Sequence, residues 1–274
     1  MNYRHAFHAA NHADVLKHSV LLHWLSHLKR KPAPFAVLDS HAGPGLYDLA
    51  SDAALRSPEW RDGLGRLWDW ADPPLLIAAL LDAVRARNPD GALRFYPGSP
   101  QLIADALRTA DRLVAVERHP ADVAELRGRF RGVRGVQVHE RDAWEALGAL
   151  FPFPEKRGLI LIDPPYEAPD ELDRAAAAVR DLLRRAPHAQ ILWWRPLKDE
   201  AALVRADAEA LALARAEFLR LDLAVAAPER EGPLRASSLL AINPPYTLRE
   251  AARTCIPALP QRLAQCQGAA FIVA

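Results

Sequence analysis

The sequence predicts a doubly wound α/β fold: a seven-stranded, mostly parallel sheet ending in an antiparallel hairpin, with a small inserted helical subdomain. Three observations predict it. Short apolar runs alternate with helical stretches from residue 35 to residue 214. Polar or glycine-rich residues close four of those runs. Two late runs, 217–226 and 235–242, have only residues 227–234 between them, too few for the crossover helix that parallel strands need.

The elements follow in order. Residues 12–31 read as a helix capped by Asn11 and ended by Pro32, with Leu21, Trp24, Leu25 and Leu28 on one apolar stripe. Asp14, Lys17 and His18 continue that stripe, so Lys17 and His18 are expected to face a pocket rather than dry core. Strand 35–38 enters the turn Asp39-Ser40-His41-Ala42-Gly43-Pro44-Gly45. Ser99-Pro100 reads as an N-cap and first-turn proline of a helix to about 109. Strand 113–116 ends in Glu117, with a helix from Pro120. Strand 136–138 leads to Asp142-Ala143. Strand 159–162 enters Asp163-Pro164-Pro165-Tyr166, followed by a helix through 185; strand 191–194 and helix 199–214 come next. Between the glycine turn and the second strand lies an insertion, about 50–95, with room for helices opened by Ser57-Pro58 and Asp72-Pro73. Its Trp60, Trp68 and Trp70 are expected to pack a small core of its own.

Composition sets the class. Half of the 274 residues are hydrophobic and a quarter charged, with Lys+Arg 35 against Asp+Glu 34, which excludes a disordered or collagen-like chain and suits a single domain over 1–274. No apolar stretch approaches the roughly 20 residues of a membrane helix. The polar start and the two isolated cysteines, Cys255 and Cys266, point to a reduced cytoplasmic protein without a disulfide framework. Charge is uneven: residues 1–31 carry Arg4, Lys17, Lys29, Arg30 and Lys31 against Asp14, and six of the ten histidines. Such an end is expected to contact phosphate. His8-Ala9-Ala10-Asn11-His12 has the spacing of a metal motif but lacks the glutamate of a zinc protease, so no metal site is assigned.

Asp163-Pro164-Pro165-Tyr166 carries the most chemistry. The lone pair of an exocyclic amine on a base is conjugated into the ring. A carboxylate and a backbone carbonyl accepting its two N–H bonds draw the nitrogen toward tetrahedral geometry. Asp163 and the Pro164 carbonyl would be those acceptors, and Tyr166 would hold the face of an extruded base. The glycine turn at Gly43 lets backbone approach a cofactor, Glu117 is placed for ribose hydroxyls, and Asp142 for an adenine edge. This order of strand-end groups resembles the Rossmann-like class I methyltransferases that use S-adenosyl-L-methionine. A second tetrad, Asn243-Pro244-Pro245-Tyr246, closes the second arm of the hairpin. That arm should run antiparallel and end at the opposite edge, so the tetrad is assigned to structure.

The resemblance then narrows. Tyr3 through His18, Leu38 through Gly43, Tyr96 through Pro100, Gly158 through Glu167 and Ile242 through Pro245 closely resemble the signatures of the RlmJ family. Those enzymes methylate an adenine 6-amino group in bacterial 23S ribosomal RNA, adenine 2030. The resemblance implies cofactor contacts at His18, His41, Ser99, Glu117, Asp142, Ala143 and Asp163, with Asp163 also catalytic, and places Tyr3, His5 and Lys17 near the target nucleotide. It departs from the family at Pro44, where a small residue is common, and at Ala143, where glycine is frequent. The expected partner is 23S ribosomal RNA, as naked RNA or an assembly intermediate, and the chain is expected to be a monomer with no membrane contact. A DNA adenine methyltransferase would use the same tetrad but usually brings a target-recognition domain; a non-catalytic RNA-binding protein leaves the four carboxylates unexplained.

Overall fold

The computed structural model describes residues 5–212, 216–227 and 234–274. Its first long element is α1(His12–Lys29). Asn11 opens it from an extended backbone, its side-chain oxygen accepting the amides of Ala13 and Asp14 at 2.9 and 3.1 Å. This satisfies two of the donors a helix start leaves bare.

Then come β1(Ala36–Asp39), β2(Leu46–Asp48), the short helices α2(Asp52–Arg56) and α3(Glu59–Asp62), α4(Leu75–Arg85) and β3(Phe95–Pro97). The chain continues through α5(Ser99–Ala106), β4(Arg112–Glu117), α6(Pro120–Arg129), β5(Val136–Glu140), α7(Ala143–Leu150) and β6(Gly158–Ile162). It closes with α8(Glu171–Arg185), β7(Ile191–Pro196), α9(Glu200–Leu211), β8(Phe218–Ala224), β9(Ala236–Ile242), α10(Leu248–Cys255), α11(Leu259–Leu263) and β10(Ala270–Val273).

The main sheet has the order β10-β8-β9-β7-β6-β1-β4-β5. β1 is central and pairs in parallel with β4 and β6, while β9 runs antiparallel to both β7 and β8. The hairpin is therefore as the sequence predicts, but the sheet has eight strands, not seven. The eighth, β10, adds antiparallel to β8 at the edge. Its run is four residues at the chain's end, half-exposed, and carries no alternation long enough to read as a strand.

Successive residues of the central strands bury opposite faces. Val37, Leu113 and Leu159 join one core with α1, α4 and α5; Leu38, Val114 and Ile160 join another with α7, α8 and α9. A sheet covered on both sides needs such uninterrupted apolar strands.

Two expectations are corrected. The inserted helices do not enclose a core of their own: Leu64, Leu67, Ile77, Leu80 and Leu81 share one cluster with Val20, Leu21 and Trp24 of α1, and Trp60, Trp68 and Trp70 pack half-buried against it. A short helix, α3, does open directly after Ser57-Pro58 as expected, and β2 and β3 pair as a separate two-stranded ribbon at the base of the insertion. Ser99, expected as an N-cap, is the first residue of α5, and Gly98 takes the cap.

Candidate active site

The parallel strands β1, β4, β5 and β6 end at one edge, and residues at or just beyond those ends, with the first turns of α1, line a cavity of about 440 Å³. His5, Lys17, His18, His41, Gly43, Ser99, Glu117, Asp142, Ala143, Asp163, Pro164 and Tyr166 all line it. The structure thus brings together every site residue expected from the sequence that it describes; Tyr3 lies outside the described residues.

The centre of the site is a buried charge chain. Lys17 Nζ lies 2.5 Å from Asp163 Oδ2 and 2.8 Å from Asp14 Oδ1, its side chain 4% exposed. Asp14 Oδ2 in turn accepts the Ala10 amide at 2.8 Å and lies 2.9 Å from His5 Nε2. Burial alone would lower the Lys17 pKa, but Asp14 and Asp163 outweigh it and hold the ammonium protonated. Burial likewise works against the Asp14 carboxylate, and His5 and Lys17 reverse that, keeping it well below the ordinary carboxylate range.

Around this chain the groups are fixed by neighbours. Glu117 accepts the Gly43 amide at 2.8 Å with Oε2 and the amides of Arg118 and His119, both at 2.7 Å, with Oε1. This welds the glycine turn to the end of β4. Gly43 has φ +62°, and a Cβ there would come within 2.5 Å of the Tyr47 hydroxyl, so only glycine keeps this cradle open. Asp142 caps α7 through the amides of Trp144 and Glu145 and meets Arg118 at 3.2 Å. Burial lowers His18 to about 3 and His41 to about 4, leaving neutral imidazoles; His18 Nδ1 lies 2.6 Å from the Tyr96 hydroxyl and His41 Nδ1 2.8 Å from the Ser40 hydroxyl.

Tyr166 has φ +54°, an unusual backbone for a tyrosine, and is held there by its hydroxyl. That group donates to the Trp194 carbonyl and accepts from Trp193 Nε1, each at 2.8 Å. The ring stands edge-on to Trp194, 5.7 Å between centroids.

Asp39, at the end of β1, is fully buried and neither of its carboxylate oxygens has a hydrogen-bond partner among the described residues. Burial pushes it up to about 7, the Ser99 hydroxyl opposing and Asp163 adding to the rise.

Sequence reasoning missed three contributors. Asp14 continues the apolar stripe with no role assigned to it from the sequence, yet it is the second anchor of Lys17. Trp193 and Trp194 looked like strand core, yet they hold Tyr166, and Trp194 lines the cavity. The only early signal was polarity continuing an apolar stripe at Asp14.

The second tetrad lies where expected. β9 runs against β7, so Asn243 ends up at the opposite edge, its amide donating to the carbonyls of Pro187 and Ala189 at 3.0 and 2.8 Å.

A glycine turn after β1, an acid closing β4, a cap acid after β5 and Asp-Pro-Pro-Tyr after β6, on a sheet ending in an antiparallel hairpin, define a Rossmann-like class I methyltransferase. Residues 32–273 match a family described as "Ribosomal RNA large subunit methyltransferase D, RlmJ". The chain is 37% identical to Ribosomal RNA large subunit methyltransferase J of Haemophilus influenzae, over 96% of this chain and 94% of that one. It is 36% identical to the Escherichia coli protein of the same name, with the same coverage. A crystal structure of a Legionella pneumophila protein superposes with a TM-score of 0.89 at 28% identity, covering 97% of this chain and 98% of that one. The chain belongs to the RlmJ family of ribosomal RNA large subunit methyltransferases.

Proposed function

We propose that this chain transfers a methyl group from S-adenosyl-L-methionine to the 6-amino group of one adenine in 23S ribosomal RNA, corresponding to adenine 2030. Its site is proposed to work in the cytoplasm as a monomer on naked RNA or an assembly intermediate. The observation that carries this reading is the position of Asp163. Lys17 holds its Oδ2, while Oδ1 has no hydrogen-bond partner among the described residues, and the carboxylate opens into the cavity beside Pro164.

The residues present suit this cofactor. Gly43 keeps the turn open, and Glu117, held by three backbone amides, lines the cavity beside it. When bound, S-adenosyl-L-methionine supplies an electrophilic methyl on its sulfonium. The chain's own part is positioning. Asp163 Oδ1 and the Pro164 carbonyl would accept the two N–H bonds of the adenine amine, turning its lone pair out of conjugation and toward the methyl. Lys17 fixes the Asp163 rotamer by holding Oδ2. Tyr166, anchored at its hydroxyl, would offer its ring to the base. Extracting that base costs a few kcal/mol of stacking, least in a loop or a precursor lacking bound proteins.

The test is methylation of unmodified 23S RNA with a labelled donor, followed by nuclease digestion and mass spectrometry. Label should appear as N6-methyladenosine at one position, and Asp163→Ala should abolish it. Label on another atom, or undiminished transfer by the variant, would overturn the proposal.

A further inference from the structure

The edge of the sheet opposite the cavity carries a feature that methyl transfer does not use. α1 passes Lys17 at the cavity and ends at Lys29, followed by Arg30 and Lys31, all three exposed. At 1.5 Å per residue, Lys29 lies roughly 18 Å along the helix from Lys17. The N-terminal basic residues are therefore divided between two edges and cannot form one phosphate contact, as the sequence suggested. Arg157 stands just before β6 at this far edge, donating to the carbonyls of Leu28 and Ala33 at 2.7 and 2.6 Å.

None of these four cations meets a carboxylate among the described residues, whereas Arg66, Arg94, Arg112 and Arg127 each do. Their field is felt locally. The His27 imidazole is lowered by burial and then by Arg30, Arg157 and Lys31, with no acid acting against them. On a chain of net charge +1 this is a concentration, not a background.

In the middle of it stands Tyr246, 80% exposed. It is the last residue of the second tetrad. His27 meets its ring edge-on at 5.5 Å, and Arg30 Nη1 lies 3.4 Å from its hydroxyl. Two prolines precede it, and Asn243 before them is pinned at φ +49° by its two carbonyl acceptors. The backbone that presents the ring is thus constrained before binding.

We propose that this edge is a second RNA-docking surface, with Lys29, Arg30, Lys31 and Arg157 holding phosphates and Tyr246 stacking an unpaired base. It rests on the reading that the chain acts on RNA and adds a grip on sequence flanking the target. Cations around an exposed aromatic face match a backbone-tracking, base-stacking site. An acidic protein surface would satisfy the charges and leave the ring without a partner.

The separation supplies the test. A target hairpin with a stem of four pairs, at roughly 3 Å of rise per pair, has a stem shorter than the roughly 18 Å of helix between Lys17 and Lys29. A fragment carrying a further helical turn, about 34 Å, exceeds it. Binding of both RNAs by fluorescence anisotropy across a salt series is compared for the full chain, the triple variant Lys29→Gln/Arg30→Gln/Lys31→Gln, Tyr246→Ala and Asp163→Ala.

For the long fragment the triple variant should bind about tenfold more weakly at 0.1 M salt. Its slope of log K against log salt should be shallower by about 2, near 0.7 for each lost single-strand phosphate contact. Tyr246→Ala should weaken binding severalfold with the slope unchanged. Both should bind and methylate the short hairpin like the parent, with unchanged melting temperatures. Parent-like binding of the long fragment by both variants, or equal loss on the short and long RNAs, would overturn the proposal. Asp163→Ala separates the two readings, because it should lose methylation and keep both affinities. A parent chain that binds the long fragment through this edge yet methylates neither RNA would sink the proposed activity and leave the docking surface standing.

Discussion

Replacing Lys17 with methionine keeps the length of the side chain and removes its charge. The ammonium lies 2.5 Å from Asp163 and 2.8 Å from Asp14, which at an effective dielectric near 20 corresponds to about 6 kcal/mol of attraction to each. Desolvating the three groups cancels much of that, so the pair is not worth the sum. Breaking it is another matter, because two carboxylates are left facing each other, one of them 1% exposed. The expected loss is about 3–5 kcal/mol, on the order of 10 °C in melting temperature for a chain of this size.

The pH dependence has a definite sign. The depressed pKa of Asp14 makes its contribution fully present above its unfolded value of 3.8 and lost as pH falls through its lower folded value. Without Lys17 the buried Asp14 carboxylate takes up a proton more readily, so the deficit of the variant should be largest near pH 8 and shrink toward pH 5. Urea titrations at both pH values measure it. Asp14→Asn/Lys17→Met should recover part of the loss by removing one orphaned charge. A deficit under about 1 kcal/mol at pH 8, or one independent of pH, would refute the charge-chain argument.

Three further outcomes are expected. Asp39→Asn should stabilise the ligand-free chain at pH 8 by up to about 4 kcal/mol and barely at pH 4. With a folded value of about 7 against 3.8, the cost of its charge is absent below the lower value and fully developed once pH exceeds the upper; equal melting shifts at both pH values would refute this. Gly63→Ala would put a Cβ 2.2 Å from the Ala10 carbonyl oxygen and should cost about 1–3 kcal/mol, with methylation lost through displacement of α1; denaturant melts and initial rates check both. Tyr166→Phe leaves the Trp193 indole and the Trp194 carbonyl without their shared partner and should cost about 1–3 kcal/mol, with KM for RNA rising more than kcat falls in steady-state assays.

The strands around the site were legible because each is a short run closed by polar residues or glycine, and Gly43, Glu117, Asp142 and Asp163 were legible because they lie at those closures. β10 was not, since an edge strand buries only one side and leaves a weak pattern. The ribbon of β2 and β3 was hidden because three residues each, Leu46–Asp48 and Phe95–Pro97, are joined across the whole insertion. The Lys17–Asp163 contact spans 146 positions, and no local periodicity encodes it. What the sequence did show was its consequence: a lysine and an aspartate on an otherwise apolar stripe, which physical chemistry permits only with partners. The tryptophans of the insertion were misassigned because burial can be inferred from residue type, but which core receives them cannot.

The insertion and the N-terminal motif explain one another. Asn11 uses both ends of its amide: the oxygen caps α1, and the nitrogen donates to Glu59 of α3 at 3.0 Å. The other Glu59 oxygen meets His8 Nδ1 at 2.8 Å, an interaction that raises the His8 pKa against its burial. Leu64 donates its amide to the Ala10 carbonyl at 2.9 Å, and Gly63 packs so closely there that no side chain fits. Ala10 itself takes φ +64°, turning the chain so that its amide reaches Asp14. Every one of these contacts fixes the axial position and rotation of the first turns of α1. A rotation of one residue, 100°, would carry Lys17 off Asp163 altogether. The inserted helices therefore set the register of the helix whose lysine holds the Asp163 carboxylate.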